Sequence, residues 1–155
     1  MDRKEAFRFA IEAEMRSQML YSALAKSFRK PENSAVYQEL VILEKNHEEK
    51  VRTAFETEYP GHDLQLEPEL SVDLRSINPR EPKEVLDFAI SREEMAQSIY
   101  LELAEGSADR EMKELFNRFA VEEDHHKTIL LTEIQRMQGA LVWYDPSELS
   151  GLMEY

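Results

Sequence analysis

A chain of 155 residues is long enough to bury its own core. With no cysteine it offers no disulfide, thiolate zinc site or iron–sulfur cluster, so any metal falls to His and carboxylate. A formal net charge of -13 disfavours a general basic surface for nucleic acid or anionic membrane, and no apolar run approaches the ~20 residues that span a bilayer, so the expectation is a soluble, cytoplasmic protein.

The composition favours helix, with only 4 Gly and long stretches of Ala, Glu, Leu, Met, Lys and Arg. From about Arg3 to Phe28, Phe7, Ala10, Glu14, Ser17, Tyr21, Leu24 and Phe28 step three and four apart along one face, and Pro31 is expected to stop this first helix. A second helix is expected to begin near Asn33 or Ser34, either able to cap it. It carries Tyr37, Leu40, Glu44, His47, Val51 and Phe55 on one stripe until Tyr59-Pro60-Gly61.

Residues 60 to about 81 are proline-rich and keep no long helical period, which suits a crossover running from one end of a bundle to the other. A third helix is predicted from Pro82, with Leu86, Ala89, Glu93, Ala96, Tyr100 and Leu103 inward and Gly106-Ser107 as its end. The fourth runs from about Asp109 to Gln138, with Phe116, Phe119, Glu123, His126, Leu130, Ile134 and Met137 buried, and Gly139 as its stop. Asp145-Pro146-Ser147-Glu148 reads as the capped start of a short terminal helix. The expected organisation is one domain over 1–155, with a bundle core over 3–138 and a C-terminal extension over 139–155.

A constant offset of 79 residues relates the first and third helices: Phe9-Ala10-Ile11 meets Phe88-Ala89-Ile90, Glu14 meets Glu93, Gln18 meets Gln97, Tyr21 meets Tyr100 and Leu24-Ala25 meets Leu103-Ala104. These are 8 identities in the 17 positions from Phe9 to Ala25, where composition alone gives roughly one or two. The same offset sends Glu44 to Glu123 and His47 to His126. The chain is therefore two related helix pairs, each with one Glu on its first helix and a Glu-x-x-His on its second.

Glu and His at i and i+3 project from one face, so each second helix of a pair presents a carboxylate and an imidazole to the same point. Four ionised carboxylates among Ala, Leu and Phe would be prohibitively costly unless two divalent cations cancelled their charge. The expected metal ligands are Glu14, Glu44, His47, Glu93, Glu123 and His126. An oxygen and imidazole set suits two iron ions, with manganese or zinc possible occupants. A solvated position is the ordinary reading of any single Glu, but it does not explain six polar groups on the core stripes, three in each repeat. Glu122 and His125 also form Glu-x-x-His, but that register would turn Leu115 and Arg118 inward in place of Phe116 and Phe119, so Glu123 and His126 are preferred and His125 is expected outside the site. His62 reads as a surface residue. Gln18 and Gln97, one turn past Glu14 and Glu93, read equally as hydrogen-bond donors to the site or as packing, and the Met residues as core. Trp143 and Tyr144 would cover either the bundle or a subunit contact.

This doubled pattern resembles the ferritin-like superfamily, specifically its rubrerythrin-like di-iron carboxylate domains. The resemblance implies an all-α, ferritin-like four-helix bundle with a long crossover between helices 2 and 3. It further implies that the four Glu bridge or chelate the irons while the two His complete the coordination, and that Tyr21 and Tyr100 hydrogen-bond ligand carboxylates as a supporting shell. The function implied is a di-iron oxidoreductase that oxidises ferrous iron or reduces dioxygen or hydrogen peroxide; a non-catalytic iron-binding or storage module is the alternative, and a metal-free partner-binding helical protein a third reading. Full-length rubrerythrins carry a cysteine-rich rubredoxin domain, which this chain lacks, so catalysis would draw on an external electron donor. Peroxidase-type members tend to have a further Glu on the third helix; here Ala96 follows three residues after Glu93, with Glu94 alone nearby. A homo-oligomer, specifically a dimer, is implied by the resemblance alone.

Overall fold

The computed structural model describes residues 2–67 and 82–139. Four helices make it up: α1 (Arg3–Ser27), α2 (Pro31–Glu58), α3 (Pro82–Glu105) and α4 (Arg110–Gly139). Residues 68–81 and 140–155, which hold most of the expected crossover and the expected terminal helix, lie outside the described residues, as do Trp143 and Tyr144.

Each helix starts and stops for local reasons. The Asp2 carboxylate accepts the Glu5 N–H at 2.8 Å and caps α1. Pro31 opens α2 rather than merely closing α1, and Lys30, not Asn33 or Ser34, is its cap residue. Proline fits a first turn because its missing N–H is one that the helix leaves unbonded there. Ser34 already lies inside α2, and its hydroxyl donates to the Ala25 carbonyl at 2.7 Å, tying the second helix back to the end of the first. Gly61 takes a φ of 75°, the left-handed turn that follows α2.

α1 packs along α2 and α3 along α4, the two repeats seen in the sequence, and α1 also packs against α3. These pairs run antiparallel: in α1 and α2, Phe7 meets Phe55 and Gln18 meets Glu48. In α1 and α3, Glu14 meets Tyr100 and Tyr21 meets Glu93. The buried apolar residues divide into two clusters. One is built on Phe7, Phe55, Tyr100, Phe116 and Phe119, and the other on Leu20, Tyr21, Leu24, Tyr37, Leu40, Leu86 and Leu130. The polar residues of the candidate site occupy the level between them.

Arg3 closes one end of the bundle. Its guanidinium pairs with Glu58 of α2, donates to the Leu103 carbonyl of α3 at 2.9 Å and to the Ser107 hydroxyl at 2.8 Å, and lies over the Phe7 and Phe116 rings. The described start of the crossover folds over α1, where Leu64 and Leu66 pack on the core and the Glu67 N–H donates to the Glu12 carboxylate at 2.8 Å.

Candidate metal centre

The repeat places one carboxylate from α1 (Glu14), one from α3 (Glu93), and a Glu-x-x-His from each of α2 and α4 on the inner stripes of their helices. All six side chains converge, and each residue is 4 % exposed or less. His47 Nδ1 lies 2.6 Å from Glu123 Oε1 and 3.0 Å from Glu14 Oε1. His126 Nδ1 lies 2.6 Å from Glu44 Oε1, with Glu93 and Glu123 oxygens each at 3.7 Å.

Two groups of four emerge: Glu14, Glu44, His47 and Glu123 in one, Glu44, Glu93, Glu123 and His126 in the other, with one donor atom from each residue within 4.8 Å of the rest. Glu44 and Glu123 belong to both. Each group thus has a private Glu and His, and the two groups share a pair of carboxylates.

These close approaches do not satisfy the atoms as hydrogen bonds. Ten buried side-chain polar atoms among the described residues have no hydrogen-bond partner, and eight of them belong to these six residues. A buried lone pair left unmatched costs about 1–3 kcal/mol, so a folded core does not collect eight without compensation. A cation is the compensation this donor set fits: oxygen and imidazole nitrogen atoms turned toward common points.

The electrostatics of the protein without metal express the same conflict. Burial, reinforced by the charge of Glu14, holds the Glu44 and Glu123 carboxyls well above the ordinary carboxylate range. Glu14 and Glu93 are held low against the effect of their own burial, by the close contacts and charges of their neighbours: Glu44 and His47 for the first, Glu123 and His126 for the second. The two shared carboxyls therefore take up protons where no cation stands.

Tyr21 donates to Glu93 Oε1 and Tyr100 to Glu14 Oε1, each at 2.6 Å. Burial and the facing carboxylates raise both phenols well above their usual range, which keeps them donors. Around His47 stand the Phe119 ring, edge-on at 4.6 Å between centroids, and the Tyr100 ring at 5.0 Å.

The second half of this site carries a family signature: residues 84–151 match the family model described as Rubrerythrin. This segment is rubrerythrin-like. A hypothetical protein from Pyrococcus furiosus, known as a solved structure, shares the fold at 24 % identity over 94 % of each chain, with a TM-score of 0.71. No curated protein matches the chain. The rubrerythrin match spans α3 and α4, and the 79-residue repeat extends the same residue pattern to α1 and α2.

Other residues of the bundle fall as follows. His125 is exposed, so α4 takes the Glu123/His126 register, and His62 is a surface residue in contact with Lys4 at 3.2 Å. Gln18 donates to the Glu14 backbone carbonyl at 3.2 Å and to Glu48 at 2.6 Å, so it braces α1 against α2 rather than touching the cluster's carboxylates, while Gln97 is half-buried. Ala96 is buried and Glu94 exposed, so α3 brings one carboxylate to the cluster. By spacing alone, Glu122 is only a rival for Glu123. In the structure it is a neighbour of the site in its own right, with Oε2 at 3.4 Å from His47 Nε2 and Oε1 at 3.9 Å from Lys50 Nζ. The hint in the sequence is its place directly before Glu123, where a half-exposed residue of α4 turns toward the flank of α2.

Proposed function

We propose that the chain holds two iron ions between its helices and works as a di-iron carboxylate oxidoreductase, oxidising ferrous iron or reducing dioxygen or hydrogen peroxide. The observation that carries this reading is the sharing of Glu44 and Glu123 between two complete donor groups. Glu14 and His47 would hold one ion, Glu93 and His126 the other, and Glu44 and Glu123 would bridge them. Two divalent cations cancel the charge of four carboxylates, which offsets the burial and the mutual repulsion that together raise Glu44 and Glu123.

The bound pair would supply two electrons together, so that an oxidant is reduced without release of a one-electron product. The protein's own part is positional. Tyr21 and Tyr100 hold Glu93 and Glu14 through one oxygen each and leave the other oxygen, unbonded in both, for the cation. The aromatic and aliphatic clusters above and below keep bulk water from the ligands. Electrons would come from a donor outside these 155 residues, which contain no cysteine for an iron–sulfur centre. A cytoplasmic homodimer is part of the same proposal, on resemblance to the family.

Anaerobic loading with ferrous iron, followed by mixing with dioxygen or peroxide, tests it. The expected result is a rise in near-ultraviolet ferric absorption, lost in Glu44→Ala and Glu123→Ala. An unchanged spectrum in the native chain would defeat the proposal, and accumulation of many irons per chain would turn it toward storage.

A further inference from the structure

Among the positions where the two repeats differ, one stands directly beside the centre. Glu122 of α4 reaches His47 of α2, and 79 residues earlier, where symmetry would place the carboxylate that reaches His126, stands Leu43. Leu43 is half-buried and packs on the apolar cluster at the other end of the bundle.

A histidine that gives Nδ1 to a cation must carry its hydrogen on Nε2, and that N–H needs an acceptor. His47 Nε2 is buried and has no hydrogen-bond partner, and Glu122 Oε2 is 3.4 Å from it. Glu122 is able to fill this role because its side chain is 34 % exposed and so keeps its charge solvated while touching a ring that is 1 % exposed. Lys50 stands on its other oxygen at 3.9 Å. A carboxylate on the outer nitrogen fixes the ring's tautomer and angle and makes the inner nitrogen a better donor.

We infer that Glu122 is a positioning residue for His47 alone, and that it makes the two metal positions unequal: the Glu14/His47 position binds its ion more tightly and fills first. This inference rests on the di-metal reading above, and deepens it by assigning an order of loading to the site.

Cobalt(II) titration of the metal-free protein, followed by its visible absorption, tests both levels separately. The native chain is expected to take up the ion in two distinguishable steps. In a His126→Ala background, where the position that retains a histidine is that of His47, Glu122→Ala should weaken binding about 10- to 100-fold. Glu122→Gln, whose amide oxygen still accepts, should recover part of that loss. In a His47→Ala background the same Glu122 substitutions should leave affinity unmoved, and Leu43→Glu in the His126-containing protein should strengthen it. Far-UV circular dichroism on each variant confirms an intact helical fold, and native chain carrying Glu122→Ala alone provides the same comparison if a His variant fails to fold, through loss of the first step only. Equal losses in both His backgrounds, or no loss in either, would overturn the inference while leaving the di-metal reading in place. No cobalt uptake by the native chain would instead remove the di-metal reading itself.

Discussion

Tyr21 and Tyr100 exchange partners across the bundle: the tyrosine of each repeat donates to the carboxylate of the other, Tyr21 to Glu93 and Tyr100 to Glu14. The exchange follows from antiparallel packing of α1 on α3. A residue two turns beyond Glu14 has advanced about 10 Å along α1, and because α3 runs the opposite way that advance brings it level with Glu93.

Removing either hydroxyl leaves a buried carboxylate oxygen without its donor. Tyr21→Phe and Tyr100→Phe are each expected to destabilise the metal-free protein by about 1–3 kcal/mol in chemical denaturation. Since Glu14 and Glu93 lie in one interacting cluster, the double variant should depart from the sum of the singles by about 0.5 kcal/mol or more. Strict additivity, or no loss in either single, would show that these bonds do not brace the site.

The shared carboxylates should trade stability against binding. Glu44→Gln or Glu123→Gln keeps the shape and relieves like-charge repulsion, so the metal-free variant is expected to melt no lower than the native chain and to lose most of the upshift that metal gives it. Differential scanning calorimetry with and without a divalent metal checks this. A variant that melts lower without metal yet keeps the full upshift would refute it.

The dependence on pH has a definite sign. Glu44 and Glu123 titrate above the ordinary 4.5 in the folded protein, so the stability they contribute without metal is complete below that value and is lost as pH rises through their folded range. Glu14 and Glu93, held low, contribute in the opposite sense, but their losses come only as pH falls below 4.5. Between about pH 5 and 8 the raised pair decides, and a bound cation displaces its protons. The melting difference between metal-loaded and metal-free protein is therefore expected to widen from pH 5 to pH 8. A difference that narrows over that span would contradict the assignment.

Arg3 bonds three segments at one end of the bundle, to Glu58, Leu103 and Ser107, and covers two phenyl rings. Arg3→Ala should cost about 2 kcal/mol of stability, because it removes one of the two side-chain donors to the Leu103 carbonyl, leaving only the Ser107 hydroxyl, and strips the Glu58 charge of its partner. Metal affinity should be unaffected, since Glu14, the residue that α1 gives to the cluster, stands more than two turns away. A large loss of affinity without a loss of stability would reverse this reading.

Much of the bundle was legible because the duplicated stripe carries its own check: a register that buries Phe116 and Phe119 also buries Glu123 and His126, and leaves His125 in solvent. Pro82 opened its helix as expected, whereas Pro31 served as a first-turn residue where a stop had been expected, since proline's local chemistry suits both the end of one helix and the start of the next. What the sequence withheld was contact between helices. The crossed partners of Tyr21 and Tyr100 depend on the direction of α3 against α1, and the approach of Glu122 to His47 depends on how α4 is rotated against α2. Neither is encoded in spacing within one helix. Arg3 was hidden for the same reason, since its partners are 55 to 104 residues away.

The most direct test of the central claim is the number of ions held at these six side chains. Anaerobic equilibrium dialysis against ferrous iron should return about two ions per native chain, about one for His47→Ala or His126→Ala, and close to none when Glu44 and Glu123 are both replaced by alanine. Native chain that retains no iron, or a Glu44→Ala/Glu123→Ala variant that retains as much as the native protein, would contradict the account.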